Sequence, residues 1–164
     1  MVSITLPDGS IREFDSSITG AALAADIGPG LAKAAIAIKV DGVLLDLAHS
    51  IDVNAKVEIV TRDHDVALTL LRHDAAHVMA QAVQELYTDT QVTFGPATDD
   101  GFYYDFHRTT SFTPEDLEKI ELRMRDIVKR DEAIIREVWD RTHAVRYFEE
   151  RGETFKAEHV STLP

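Results

Sequence analysis

The chain contains no cysteine, which excludes a disulfide framework and any thiolate-held metal within it. No apolar run is long enough to span a bilayer, and the N-terminus lacks the basic-then-apolar pattern of a secretory signal. Those absences point to the cytoplasm. Basic residues are scarce as well: 17 Lys and Arg against 29 Asp and Glu leave a formal net charge of −12 at pH 7. Broad nucleic-acid binding needs Lys and Arg clustered on phosphates, so any RNA contact must be local and led by shape. The deficit is uneven, with a net charge of −3 over residues 1–62 and −9 from Asp63 onward. What is present is an ordinary globular balance, 45% hydrophobic and 28% charged, in 164 residues. That is enough for one good core or two small ones.

The first sixty residues have the rhythm of a small mixed sheet. Residues 2–6 and 11–14 read as strands around the turn Pro7-Asp8-Gly9-Ser10. Asp15, Ser16 and Ser17 offer capping oxygens to an alanine-rich helix over residues 18–27, which Gly28-Pro29-Gly30 stops. Strands over 36–40 and 43–47 flank Asp41-Gly42, a strong hairpin signal, and residues 57–61 close the set. Hairpin, helix, hairpin and late strand describe a β-grasp, ubiquitin-like module. Nothing in its pattern looks catalytic.

Residues 66–87 change period and read as one helix. Leu68, Leu71, Ala75, Val78, Met79, Ala82 and Leu86 are spaced for a buried face. His73 and His77 fall roughly opposite, at ~100° per residue, beside Val66, Leu70, Ala80 and Gln84. Four-residue spacing stacks the two imidazoles, which can together hold a metal, a water or a ribose hydroxyl. Two histidines are half a site, and the pattern also arises on ordinary helices. A metalloprotease needs Glu directly after the first histidine, where this chain has the shorter Asp74. A metal-dependent phosphohydrolase could use His73-Asp74, but only with further separated ligands.

Two sets of residues then carry a family resemblance. The run Ile4-Thr5-Leu6-Pro7-Asp8-Gly9-Ser10, followed by Asp26-Ile27-Gly28-Pro29-Gly30-Leu31-Ala32-Lys33-Ala34, resembles the TGS domain that opens bacterial threonyl-tRNA synthetases. TGS domains also occur in stringent-response enzymes and some GTPases, but no GxxxxGK[ST] phosphate loop is present here. Further on, Arg72-His73, Ala76-His77, Phe94-Gly95-Pro96 and Gly101-Phe102-Tyr103-Tyr104-Asp105 resemble the editing domain that follows TGS in the same family. Their order and joint occurrence are more specific than any one motif. The implied fold is α+β, a TGS domain over 1–62 followed by an incomplete editing domain of the threonyl/alanyl-tRNA synthetase type over 63–164.

The remaining segments are read beside that resemblance. Residues 91–95 and 102–106 are expected strands around a turn-rich loop. Thr113-Pro114-Glu115-Asp116 starts a long helix with Leu117, Ile120, Met124, Ile127 and Val128 on its buried side. Residues 134–139 alternate like a strand, Thr142 caps a short helix ending near Arg151-Gly152, and residues 155–160 look like another strand. Gly152-Glu153-Thr154-Phe155-Lys156 resembles the family stretch that bears a functional lysine at the place of Lys156.

The resemblance implies a chemistry. The family joins threonine to its tRNA with ATP in a class II core, and its editing domain hydrolyses tRNA mischarged with serine. His73, His77 and Lys156 are the implied catalytic residues, positioning water, ribose hydroxyls and the ester. Gly95 and Tyr104 are the implied substrate-binding residues, the first admitting the aminoacyl group and the second lining its pocket. No metal ligand is assigned in this chain, and no cofactor. ATP, magnesium and zinc are implied only for the family's core, as is a homodimer formed through it. The implied partner is the acceptor end of threonine-specific tRNA, with no membrane. The family completes the editing site with a Cys-x-x-x-His element not present before Pro164, so the expectation is an N-terminal piece of a longer enzyme with exposed strand edges. Two alternatives stand beside it: a free-standing factor that edits in trans, and a non-catalytic TGS-containing RNA-binding or regulatory module.

Overall fold

The computed structural model describes residues 1–163. The chain divides into two compact units, Met1–Leu68 and the residues from Thr69 onward.

In the first unit, β1 (Val2–Thr5) and β2 (Ile11–Phe14) form an antiparallel hairpin with Val2 opposite Phe14. The two-residue strand β3 (Ile18–Thr19) leads into α1 (Gly20–Ile27) and α2 (Pro29–Ala34). Then come β4 (Ala35–Val40), β5 (Val43–Leu45), β6 (Ser50–Ile51) and β7 (Ala55–Thr61). The main sheet runs β2-β1-β7-β4-β5, with β7 parallel to β1 and antiparallel to β4. This is the β-grasp order, and α1 covers the sheet through Leu23, which is fully buried with Ile4, Ile38 and Val57. Each such side chain contributes roughly 1.5–3 kcal/mol of burial.

Asp41 and Gly42 both take positive φ, 48° and 86°, as a two-residue hairpin loop requires. Asp41 also accepts from the Lys56 amide at 2.9 Å, tying the turn to β7. The helix start differs from expectation. Residues 18 and 19 are extended, pairing with Ile51 and Ser50, and the cap is Thr19, whose hydroxyl accepts from the Ala22 amide at 3.2 Å. Two consecutive β-branched residues favour the extended backbone.

The second unit is carried by α3 (Ala67–Leu86), which begins at the boundary. After it come β8 (Gln91–Val92), β9 (Phe106–His107), α4 (Pro114–Arg130), α5 (Arg141–Glu150) and α6 (Thr154–Thr162). A capping box starts α4: the Thr113 hydroxyl accepts from the Asp116 amide at 3.3 Å, and the Asp116 carboxylate accepts from the Thr113 amide at 3.1 Å. Ala82 and Val83 of α3 pack with Ile120 and Ile127 of α4. Glu85 locks the same pair of helices, accepting from Arg130 at 2.8 and 2.7 Å and from Arg123 at 3.4 Å.

Five sequence expectations need correction here. The expected buried stripe of α3 holds only in its later turns, where Ala82 is buried and Val78, Met79 and Leu86 pack against the core; Ala76, Ala80 and Val83 are buried as well, whereas Leu68 is 55% and Leu71 47% exposed. Leu71 instead lines an open groove with Val78, Met124 and Val128. On α4, Ile120 and Ile127 are buried while Leu117 and Val128 are not, so one narrow seam meets α3. Residues 134–139 form no strand, and Ile134, Ile135 and Val138 stand exposed. Alternation supplies a strand face, but a strand exists only where a neighbour completes its hydrogen bonds, and none among the described residues pairs with this segment. Residues 155–160 are helical within α6, because Glu153, Lys156, Ala157 and Val160 are the covered positions and they recur at helical spacing. The expected strands at 91–95 and 102–106 shrink to β8 and β9, with Ala97 bridging Phe102 nearer the turn.

Candidate functional site

Helix α3 presents His73 and His77 one turn apart. Their Nε2 atoms lie 3.0 Å apart and the rings meet edge to face, centroids 4.6 Å apart. An Nε2–Nε2 hydrogen bond needs one ring to donate and the other to accept, so the two imidazoles hold complementary tautomers. The pair cannot take up two Nε2 protons and keep this bond. Burial foremost, then His73, and least of all Lys156, hold the His77 pKa below its ordinary value, against an opposing pull from Asp74 that exceeds the lysine's. His77 is therefore a neutral hydrogen-bonding group near pH 7.

Lys156 comes from α6. Its Nζ stands 5.6 Å from the centre of the Phe148 ring, and it lines a cavity of about 410 Å³ with Phe94, Phe148 and Phe155. Neither histidine of the pair lines that cavity, and the lysine charge is the smallest of the influences on the His77 pKa.

Gly95 and Tyr104 face each other across the hairpin that contains β8 and β9. The pairing continues past β8 and β9: the Thr93 amide donates to Asp105 O at 3.1 Å and the Asp105 amide to Phe94 O at 2.7 Å. A Cβ on Gly95 would sit 2.6 Å from Tyr104 Cε2 and nearer still to Cδ2 and Cγ. The missing side chain at Gly95 is the space the Tyr104 ring fills. Tyr104 in turn stacks on Phe106, centroids 5.1 Å apart. Burial foremost, and then the charge of Glu153, raise the Tyr104 hydroxyl pKa, so the phenol keeps its proton and can donate.

The sequence reading assigned no role to Arg72, Gln84 or Glu153. Arg72 Nη1 donates to the carbonyls of Thr98 and Asp99, at 3.3 and 2.5 Å, and so ties the hairpin turn to the helix one residue before His73. Gln84 Nε2 donates to Glu153 Oε1 at the start of α6. Gln84 follows His77 by seven residues, two turns along the same face, and that spacing is the signal that could have flagged it. Among the described residues no group of three or more His, Asp or Glu side chains is arranged to hold a metal ion, and no helix is long and apolar enough to cross a membrane.

Comparison with known proteins extends this geometry. Residues 2–61 match the TGS domain model. The whole chain is 60% identical over 164 residues to "Threonine--tRNA ligase" of Rhodospirillum rubrum, covering 26% of that protein. It is 60% identical over 165 residues to the protein of the same name from Paramagnetospirillum magneticum, and 61% over 163 residues to that from Thiobacillus denitrificans, again covering 26% of each. The chain thus spans about a quarter of the length of these curated relatives. With a TGS domain at its start and this identity throughout, the chain belongs to the N-terminal region of the bacterial threonine--tRNA ligase family.

Proposed function

We propose that the second unit is the editing part of a threonine--tRNA ligase and removes serine wrongly joined to threonine-specific tRNA. Serine lacks one methyl of threonine, and a missing methyl yields only ~1–3 kcal/mol of discrimination in a binding pocket. A second, hydrolytic selection answers that shortfall. The observation that carries the reading is the mutually hydrogen-bonded His73–His77 pair, in which the His77 pKa is held below its ordinary value.

In the reaction, water adds to the carbonyl carbon of the ester, and collapse of the tetrahedral intermediate returns the terminal ribose hydroxyl and free serine. Neutral His77 accepts a hydrogen bond from the attacking water, with His73 fixing its tautomer. The Lys156 ammonium stabilises the oxyanion. Tyr104, held by the space at Gly95, walls the pocket and offers a phenol proton to the substrate. The acidic balance of the chain limits its tRNA contacts to the acceptor end. We place the protein in the cytoplasm, where translation occurs. ATP, magnesium, zinc and dimer formation belong, on this reading, to the synthetic core of the longer relatives, and no step here passes through them.

The test is His77→Ala in the full-length ligase, with charged tRNA resolved by amino acid. Seryl-tRNA accumulates while threonylation and the melting profile stay as in the parent. Clearance of seryl-tRNA at the parental rate rules the reading out and leaves a TGS-containing binding module.

A further inference from the structure

Lys156 is useful only if α6 is held against the histidine face of α3, and the start of α6 is held in an unusual way. Its N-cap residue, Glu153, makes no side-chain hydrogen bond to its own helix. The Glu153 carboxylate turns instead to α3, where Oε1 accepts from Gln84 Nε2 across 69 residues of sequence. Its other oxygen, Oε2, is buried without a hydrogen-bond partner. A buried carboxylate oxygen left unpaired costs ~1–3 kcal/mol or more, so folding alone gives no reason for a glutamate here. The capping role that Glu153 declines passes to Gln91 of β8, whose Oε1 accepts from the Thr154 amide at 3.2 Å and the Thr154 hydroxyl at 2.6 Å.

Two glutamines from different elements therefore pin one turn of helix. Glu153 and Lys156 are three residues apart, on one face of α6. Gln84 lies on the His73–His77 face of α3. The Gln84–Glu153 bond thus joins the two faces that bear the three candidate catalytic residues.

Resting on the editing function proposed above, we infer that Glu153 is a positioning residue, which acts through its hydrogen bond from Gln84 to set Lys156 against His73 and His77. A displacement of about 1 Å in such a group costs roughly 100-fold in rate.

The experiment measures hydrolysis of seryl-tRNA by the full-length ligase carrying Glu153→Ala, Glu153→Gln, Gln84→Ala or Lys156→Ala, and the double variant Glu153→Ala/Lys156→Ala. Glu153→Ala and Gln84→Ala lower kcat about 10- to 100-fold with KM within about twofold. Glu153→Gln, whose amide oxygen still accepts from Gln84, stays within about threefold of the parent in kcat. In the Lys156→Ala background, Glu153→Ala lowers the rate no further, because its effect runs through the lysine. Multiplying effects in the double variant, or loss without rescue by Glu153→Gln, overturns the inference. Should Glu153→Ala lose its melting transition, Gln84→Ala decides, since it removes the same bond from the half-buried α3 side while leaving the carboxylate in place. If Lys156→Ala and His77→Ala hydrolyse at the parental rate, the editing reading itself fails; if both are impaired and Gln84→Ala is not, only the positioning inference does.

Discussion

Replacing Gly95 by alanine adds a single methyl group, yet the structure leaves no room for it. The new carbon would lie 2.6 Å from Tyr104 Cε2, inside the 3.4–4 Å of ordinary contact, and closer still to two other ring atoms. The ring must therefore retreat by more than an ångström. It cannot retreat freely: Tyr104 stacks on Phe106 at 5.1 Å, and Phe106 meets Phe112 edge-on at 5.8 Å. Overpacking of this kind costs about 1–3 kcal/mol. At about 2 kcal/mol, the midpoint of a unit this size falls by roughly 8–16 °C. The assay is a double-mutant cycle read by thermal melting. Gly95→Ala costs about 2 kcal/mol alone but less than about 0.5 kcal/mol in a Tyr104→Ala background, where the clashing ring is gone. Equal costs in the two backgrounds, or an unchanged midpoint for Gly95→Ala, would refute the packing argument. Seryl-tRNA hydrolysis is expected to fall with the single variant, because Tyr104 leaves its place.

Further outcomes concern pH. The His77 pKa is lowered from its ordinary 6.5, so the unfolded chain binds the proton more readily; the associated stability is complete above pH 6.5 and declines as pH falls towards the folded pKa. Hydrolysis follows the folded group, level through pH 6.5 and failing only as pH falls through the lowered His77 pKa. Lys156→Gln removes a cation that holds the pKa down and raises it, which NMR titration of His77 reads directly; a resonance titrating at or above 6.5 in the parent contradicts the assignment. Glu85 has the opposite character, a carboxylate held down to about 2 by hydrogen bonds from Arg130 and then Gln81, with the charges of Arg130 and Arg123 acting the same way. Its contribution is present above pH 4.5 and is lost as pH falls towards 2. The cluster lies at a partly solvated helix seam, so Glu85→Gln costs about 1 kcal/mol at pH 7 and flattens the acid-unfolding curve in that window; superimposable curves for parent and variant remove the cluster from the account.

Local chemistry was legible along the chain wherever one residue type dictates one geometry. Asp41-Gly42 could be read as a hairpin because both positions need positive φ, and Thr113-Pro114-Glu115-Asp116 as a helix start because its cap is complete within four residues. The His73–His77 stack followed from helical spacing alone. Where packing partners decide, the sequence was mute or misleading. Residues 134–139 alternate correctly but have no neighbouring strand, and residues 155–160 are short enough to fit either period until α6 meets β8 through Gln91. Leu68 and Leu71 look like core and stand exposed, because α4 covers only the later turns of α3.

The candidate site divides along the same line. Sequence identified the residue types and the helix that carries His73 and His77, because periodicity is a property of one segment. Only the tertiary structure put the Tyr104 ring in the space at Gly95, the Lys156 charge where it bears on the His77 pKa, and the Glu153 carboxylate under Gln84. Those meetings join residues 9 to 79 positions apart, and no local pattern encodes a distance between segments whose separation is set by how their buried faces pack.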